Sequence, residues 1–540
     1  MQGPKKKLVP GVDRPLTELD VMALRPKTKP HSMQWPMHRS WLAIAWDQAV
    51  ESAEDIGRHI SRAIRELPST KASTPGPRAF DKLIGKDGKL RLQVDKPVVL
   101  VLGSGWGAHS LMKVIDTDTY EVVVVSPRNY FLFTPMLPST SVGTVEFRSL
   151  LEPVRVSNPF VNFFEAVCDR IDLEEKVAHC TGKTPYKDGR LPQFEIPYDV
   201  LVVSVGEQPA TFGTPGVEEH CFFMKEIPDS VRLRERIQSQ FELATLPGSQ
   251  EGEMATALHF VVVGGGPTGV EFAGTMSDFL REDLKKKYPE LMPYVRVTLL
   301  NSQGTILSAF DEKMQKHALD NFKRVGVDVR TGVRVTEVTN DTITLKGGEE
   351  IKYGVCVWSA GNAPRPLVQQ LAEQIPEQAQ YQPGGRPSKL AVDPFLRVIG
   401  ARDVLAIGDC SLVVAGQQGA YAAHMINRGF MPLPPPSKLA DYLFPGQQLF
   451  ATMGSTLAYD DEGGEEGEEG EGAPRLIYYK KPFEFLNLGI MAYLGDDRAL
   501  TEIQLPFTKV KLSGSLAFLV CVPDQARLKA QVFGRDLSNF

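Results

Sequence analysis

The sequence predicts an α/β protein with two parallel sheets. Strands alternate with helices from about residue 96 onward, the order that builds parallel sheets. Two apolar strands each run straight into a glycine-rich turn, about 160 residues apart. The composition is that of a folded chain: 42% hydrophobic, 9% aromatic and 23% charged over 540 residues, which suits two to four domains. The formal net charge of -6 lacks the basic excess of a protein that grips nucleic-acid phosphates. The six cysteines form no CxxC pair, which argues against a zinc ribbon, a disulfide scaffold or a dithiol reductase, and the nine histidines give no metal pair. No run approaches the ~20 apolar residues of a spanning helix.

Taken in chain order, residues 1–95 read as an N-terminal extension. Its first forty residues hold Lys5, Lys6, Lys7, Arg14, Arg25, Lys27, Lys29 and Arg39 against Asp13, Glu18 and Asp20. That bias fits an organelle transit peptide, although prolines such as Pro10, Pro15 and Pro26 interrupt any long helix; a solvated tail reads equally well. Apolar residues recur at three- to four-residue steps over 41–67, predicting an amphipathic helix, and a Ser/Thr/Pro/Gly linker follows over 68–77.

The strand at Val98 to Leu102 leads into Gly103-Ser-Gly105-Trp-Gly107-Ala108 and a helix expected over 109–116. Gly103 permits the tight turn, Gly105 lets backbone approach a pyrophosphate, and Ala108 allows close helix-on-sheet packing. The helix N-terminus offers unpaired N–H groups to the anion. His259 to Val263 repeats this grammar into Gly264-Gly-Gly266-Pro-Thr-Gly269, with a helix expected over 270–287 and a strand over 295–300. Two such Rossmann-type folds imply two dinucleotides, and the economical pair is FAD with NADH or NADPH, since a flavin performs redox chemistry that side chains cannot. Asp403 to Cys410 then delivers a Gly408-Asp409 pair from an apolar strand, and Asp409 can bond flavin-linked hydroxyls; Gly-Asp is also a common turn. The domains expected are therefore 96–256 (FAD, first part), 257–375 (NAD(P)H), 376–430 (FAD, second part) and 431–540, a C-terminal region. Residues 460–472 (DDEGGEEGEEGEG) within the last read as an acidic surface insertion.

The run from Val124 through Pro127-Arg128-Asn-Tyr-Phe-Leu-Phe-Thr-Pro135, then Gly143-Thr-Val-Glu-Phe-Arg148, resembles the type II (alternative) NADH:quinone oxidoreductases of mitochondria and chloroplasts. Gly266-Pro-Thr-Gly269-Val-Glu271, Ala360-Gly-Asn362 and Val532-Phe-Gly-Arg-Asp536 agree with it, so the resemblance covers residues 96–540. It implies a glutathione-reductase-like nesting of two dinucleotide folds, an FAD-dependent enzyme reducing a quinone with no proton pumping, and a homodimer. It also implies peripheral attachment to the mitochondrial inner membrane (alternatively in the chloroplast) through the C-terminal part. Gly103, Gly105, Gly107, Ala108, Arg128 and Asp409 carry over to the FAD site; Gly264, Gly266 and Gly269 carry over to the nicotinamide turn. Glu271 matches a glutamate near the flavin–quinone region, where a carboxylate could relay protons; helix-terminal electrostatics is the competing reading.

Three departures stand out. Asn301 ends the second strand of the nicotinamide fold, where Asp or Glu usually accepts from the adenosine ribose. A neutral amide does not repel a 2'-phosphate and can donate to it, so NADPH is expected to be tolerated or preferred. After Cys410 the family's Ala-Gln-x-Ala-x-Gln stretch survives only in its second half, with Gln417 matching the last Gln. The basic aromatic helix before Val532 is likewise shortened. A divergent quinone site and a transcript missing exon pieces both fit these gaps. The alternatives by function are a sulfide:quinone oxidoreductase, which would need two cysteines such as Cys168 and Cys356 facing a flavin, and a flavin-binding redox module without quinone turnover.

Overall fold

The computed structural model describes residues 96–381, 389–393, 395–401, 403–411, 415–427, 489–504 and 509–515, with the single positions 57 and 483. The helix expected over 41–67, the linker over 68–77, the acidic insertion 460–472 and the shortened stretch before Val532 lie outside the described residues. The chain divides into two compact units interleaved in sequence. The first comprises Met1–Phe131, Pro153–Glu207 and Pro364–Leu486; the second comprises Leu132–Glu152, Gln208–Ala363 and Asn487–Phe540. Segments 132–152 and 208–256 thus pack with the nicotinamide fold.

The first unit is built on a seven-stranded sheet in the order Val404–Ala406, Val200–Val203, Val98–Leu102, Glu121–Ser126, Asn162–Asp172, Val177–Gly182, Gln193–Pro197. The first five strands run parallel and the last two return antiparallel. Val98, Leu100 and Leu102 point into one core while Val99 and Val101 point into another. A strand apolar at every position is what a sheet covered on both faces requires. On one face the Trp106–Val114 helix packs on the Ala415–Asn427 helix, and Asn427 locks the pair: its Nδ2 donates to the Val114 carbonyl (3.1 Å) and its Oδ1 accepts from the Asp116 N–H (2.7 Å).

The second unit repeats the scheme with four parallel strands ordered Val327–Thr331, Arg296–Asn301, His259–Val263, Val355–Trp358. It adds an antiparallel sheet of Val335–Val338, Thr342–Leu345 and Glu350–Lys352, and another of Gly489–Gly495, Arg498–Gln504 and Lys509–Gly514. The latter is clamped to the Pro267–Phe279 helix: Tyr493 donates its hydroxyl to Asp278 (2.6 Å), and Arg281 bridges Asp278 and Asp496. Among the described residues no helix is long and apolar enough to cross a membrane.

Both glycine-turn helices start three residues earlier than their apolar periodicity suggests, at Trp106 and Pro267. In each an extended glycine, Gly105 or Gly266, is the N-cap, and Pro267 with its preset φ suits the first helical position. The second helix does not run unbroken to 287; it passes through a π turn at Leu280–Leu284 before Lys285–Lys287.

Candidate functional site

In both units the glycine turn leaves the carboxyl end of the strand where the sheet order reverses. Val98–Leu102 has Glu121–Ser126 on one side and Val200–Val203 on the other; His259–Val263 has Arg296–Asn301 and Val355–Trp358. Open α/β sheets bind ligands in the crevice at such switch points.

Gly103 (φ +115°) turns so close to the next strand's exit that a Cβ would stand 2.3 Å from the Ser204 carbonyl oxygen. Only glycine fits that backbone. Gly107 packs its helix on the sheet, where a Cβ would meet the Ser204 hydroxyl at 2.9 Å, and Ala108 is fully buried. Above Gly105 a Cβ would meet only Arg128 Nη2, at 4.0 Å, and no side chain caps the helix. The turn therefore presents open space and uncapped N–H groups beside a guanidinium, an arrangement that fits an anionic pyrophosphate. Ser104, bonded to the Ser126 hydroxyl (3.0 Å), fixes the loop that carries Arg128. Trp106 packs edge-on against Phe131, on which His109 stacks at 4.2 Å.

Asp409 stands exposed just past the Val404–Ala406 strand, after Gly408 (φ +79°). Gln417 lies partly buried on the neighbouring helix. Its neighbour Gln418, which the motif does not single out, is wholly buried and accepts from the Gly408 N–H (2.7 Å), while its Nε2 has no partner among the described residues. A buried amide left with an unmet donor is costly in a ligand-free fold and points to an acceptor on a bound group. The first unit's residues thus fit a flavin dinucleotide.

The second turn is built alike. Gly264 (φ +121°) would place a Cβ 2.4 Å from the Ser359 carbonyl oxygen, and Gly269 would place one 2.1 Å from that of Gly264. Gly266 is the open position, with nothing within 4 Å. The turn opens on a cavity of about 640 Å³ lined by Gly264, Gly266, Asn301, Trp358 and Gly361 among others. Asn301 does not offer a free amide. Its Oδ1 accepts from the Gly265 N–H (3.1 Å) and its Nδ2 donates to the Thr305 carbonyl (2.6 Å). The side chain holds the turn to the 301–305 loop; what it keeps of the expected role is neutrality.

Glu271 follows the first turn of the Pro267–Phe279 helix, a turn without an acidic residue. Protein crowding its carboxyl pushes the pKa up to about 7, against a lowering backbone hydrogen bond from Tyr493. Helix-terminal attraction would have lowered it, so desolvation governs this carboxyl.

Among the described residues the cysteines that lie together are Cys168 with Cys180, which face each other across a strand pair, and Cys221 with Cys356, whose Sγ atoms lie 3.3 Å apart. The hydrogen bond with Cys221 and then burial push the Cys356 thiol up; contact with Cys168 and burial do the same for Cys180. They behave as small buried hydrophobes.

Residues 97–427 match the pyridine nucleotide-disulphide oxidoreductase family. A probable mitochondrial NADH-ubiquinone oxidoreductase of Schizosaccharomyces pombe is 35% identical over 481 residues, 82% of this chain and 84% of the relative. A mitochondrial external alternative NAD(P)H-ubiquinone oxidoreductase B1 of Solanum tuberosum is 42% identical over 355 residues, 63% of this chain. The chain spans 60% of that relative's length. Among solved structures, NDH2 from Plasmodium falciparum in complex with NADH shares the fold, with a TM-score of 0.62 at 22% identity, covering 81% of this chain and 96% of that one.

Proposed function

The chain belongs to the pyridine nucleotide-disulphide oxidoreductases and, within them, to the alternative NAD(P)H-ubiquinone oxidoreductases; from that membership we propose that it is an FAD-dependent NAD(P)H:quinone oxidoreductase that pumps no protons. The observation that carries the reading is the pair of switch-point glycine turns, each with one open glycine and uncapped N–H groups. Bound in the first cradle, FAD would supply the redox chemistry between a nicotinamide coenzyme and a quinone. Gly103, Gly105, Gly107 and Ala108 let the backbone approach its pyrophosphate, Arg128 neutralises phosphate charge, and the exposed Asp409 carboxylate accepts from hydroxyls. Gln418 offers its unmet amide donor to the same group.

Gly264, Gly266 and Gly269 cradle the nicotinamide coenzyme, and Trp358, fixed by donating to the Ala210 carbonyl (2.8 Å), walls its cavity. Glu271, half protonated near pH 7, can hold or release a proton at its carboxyl as the quinone is reduced. Gln417 lines the quinone side. The relatives' names support a mitochondrial address and a ubiquinone acceptor; peripheral attachment to the inner membrane and a homodimer complete the proposal. The test is anaerobic stopped-flow absorbance. NADH or NADPH should bleach the flavin band and a short-chain ubiquinone should restore it. Bleaching without restoration would mean a diaphorase, and a colourless protein would overturn the reading.

A further inference from the structure

The coenzyme cavity of the second unit has a one-sided charge. Among the described residues its lining includes no carboxylate and two cations, Lys225 and Arg334. Lys225 reaches the Asn362 side chain (3.4 Å) beside Gly361. Arg334 belongs to the adenosine end: the Gly332 N–H donates to the Gln303 carbonyl (2.9 Å) and the Val333 N–H to the Asn301 carbonyl (3.0 Å). Those bonds seat Arg334 next to the strand end that reads the ribose. Its own carbonyl accepts from the Lys346 N–H (2.7 Å), which anchors its backbone from the other side. The contrast with Arg330, four residues earlier, is direct. Arg330 spends both terminal nitrogens on Glu349 (2.8 and 2.7 Å), whereas Arg334 is exposed and has no ion-pair partner among the described residues.

We propose that Arg334 recognises the 2'-phosphate of NADPH and so sets this chain's coenzyme preference. The inference rests on the reading of this cavity as the NAD(P)H site. Asn301 has committed its amide within the loop, so it removes a repulsion without supplying a donor. A guanidinium supplies both the charge and the paired donors that a phosphate dianion accepts. A cavity free of carboxylates does not oppose it.

The test is calorimetric binding to the flavin-loaded protein of adenosine 2',5'-bisphosphate and of 5'-AMP, alongside steady-state kinetics with both coenzymes. Arg334→Gln should weaken the bisphosphate roughly 10- to 100-fold while leaving 5'-AMP unchanged. It should lower kcat/KM for NADPH by a similar factor and shift NADH by less than about twofold; Arg334→Lys should recover part of the loss. Equal losses for both nucleotides, or bisphosphate binding untouched by the substitution, would overturn the proposal alone. Failure of the native chain to bind either nucleotide would overturn the cavity reading and the proposal with it.

Discussion

Glu271 carries the most displaced carboxyl with a role in the proposed chemistry, and its burial has a consequence for stability. Folded, it holds its proton up to about pH 7; unfolded, it releases it near 4.5. Between those values the native state binds more protons than the unfolded one, so stability falls as pH rises through the window. Glu271→Gln removes that penalty. Urea denaturation at pH 8 should find the variant more stable by up to roughly 3 kcal/mol, with no difference at pH 4.5; equal stabilities at pH 8 would refute the displacement. The position of Glu271 was legible from its motif, but its titration was not, because the crowding and the Tyr493 contact come from folded packing. Asn301 shows the same limit. That it is not an acid can be read directly, whereas its bonds to the Gly265 N–H and the Thr305 carbonyl depend on how the glycine turn and the 301–305 loop fold. Arg334 matches no motif, and only its lack of an ion-pair partner among the described residues and its place in the cavity single it out.

The glycine turns were the most legible elements because their chemistry is local. A strand, a positive φ and a helix start are encoded within a dozen residues, and strands apolar on both faces announce their ends to within about a residue. Less legible was how tightly each glycine is constrained, which depends on what stands opposite it. Gly264→Ala forces a Cβ to 2.4 Å from the Ser359 carbonyl oxygen at a φ of +121°, and should cost more than about 3 kcal/mol in a denaturation experiment. Gly266 is extended (φ -77°) and lines the cavity, with nothing within 4 Å of a Cβ there. Gly266→Ala should therefore change stability by less than about 0.5 kcal/mol, yet raise the coenzyme KM about tenfold or more by blocking backbone approach to the pyrophosphate. The opposite pattern would mean that these glycines serve the fold and not a ligand. The clamp of Asp278, Arg281, Tyr493 and Asp496 was invisible in the sequence, since its two halves are more than two hundred residues apart.

At the scale of the molecule, the presence of two dinucleotide folds was readable from the repeated motif and their nesting from the family resemblance, while the seams were not. Segments 132–152 and 208–256 pack with the nicotinamide fold because contacts made after folding, not motif order, decide membership. The supports named for each cradle belong to its own unit: Ser204, Ile407 and Gln418 for the first, Ser359, Asn301 and Thr305 for the second. Disabling one should therefore spare the other. Gly107→Leu would drive a branched side chain against Ser204 and Ile407, where even a Cβ already meets atoms at 2.9 and 3.1 Å, and should abolish the flavin absorbance of the purified chain. If the second unit folds about its own core, that colourless variant should still bind adenosine 2',5'-bisphosphate within about threefold of the native affinity, a difference below roughly 0.7 kcal/mol. Loss of both activities together would show that the two units fold as one cooperative body. Retention of the second would establish that nucleotide recognition is complete within each half and that the electron path is assembled from two self-sufficient binding sites.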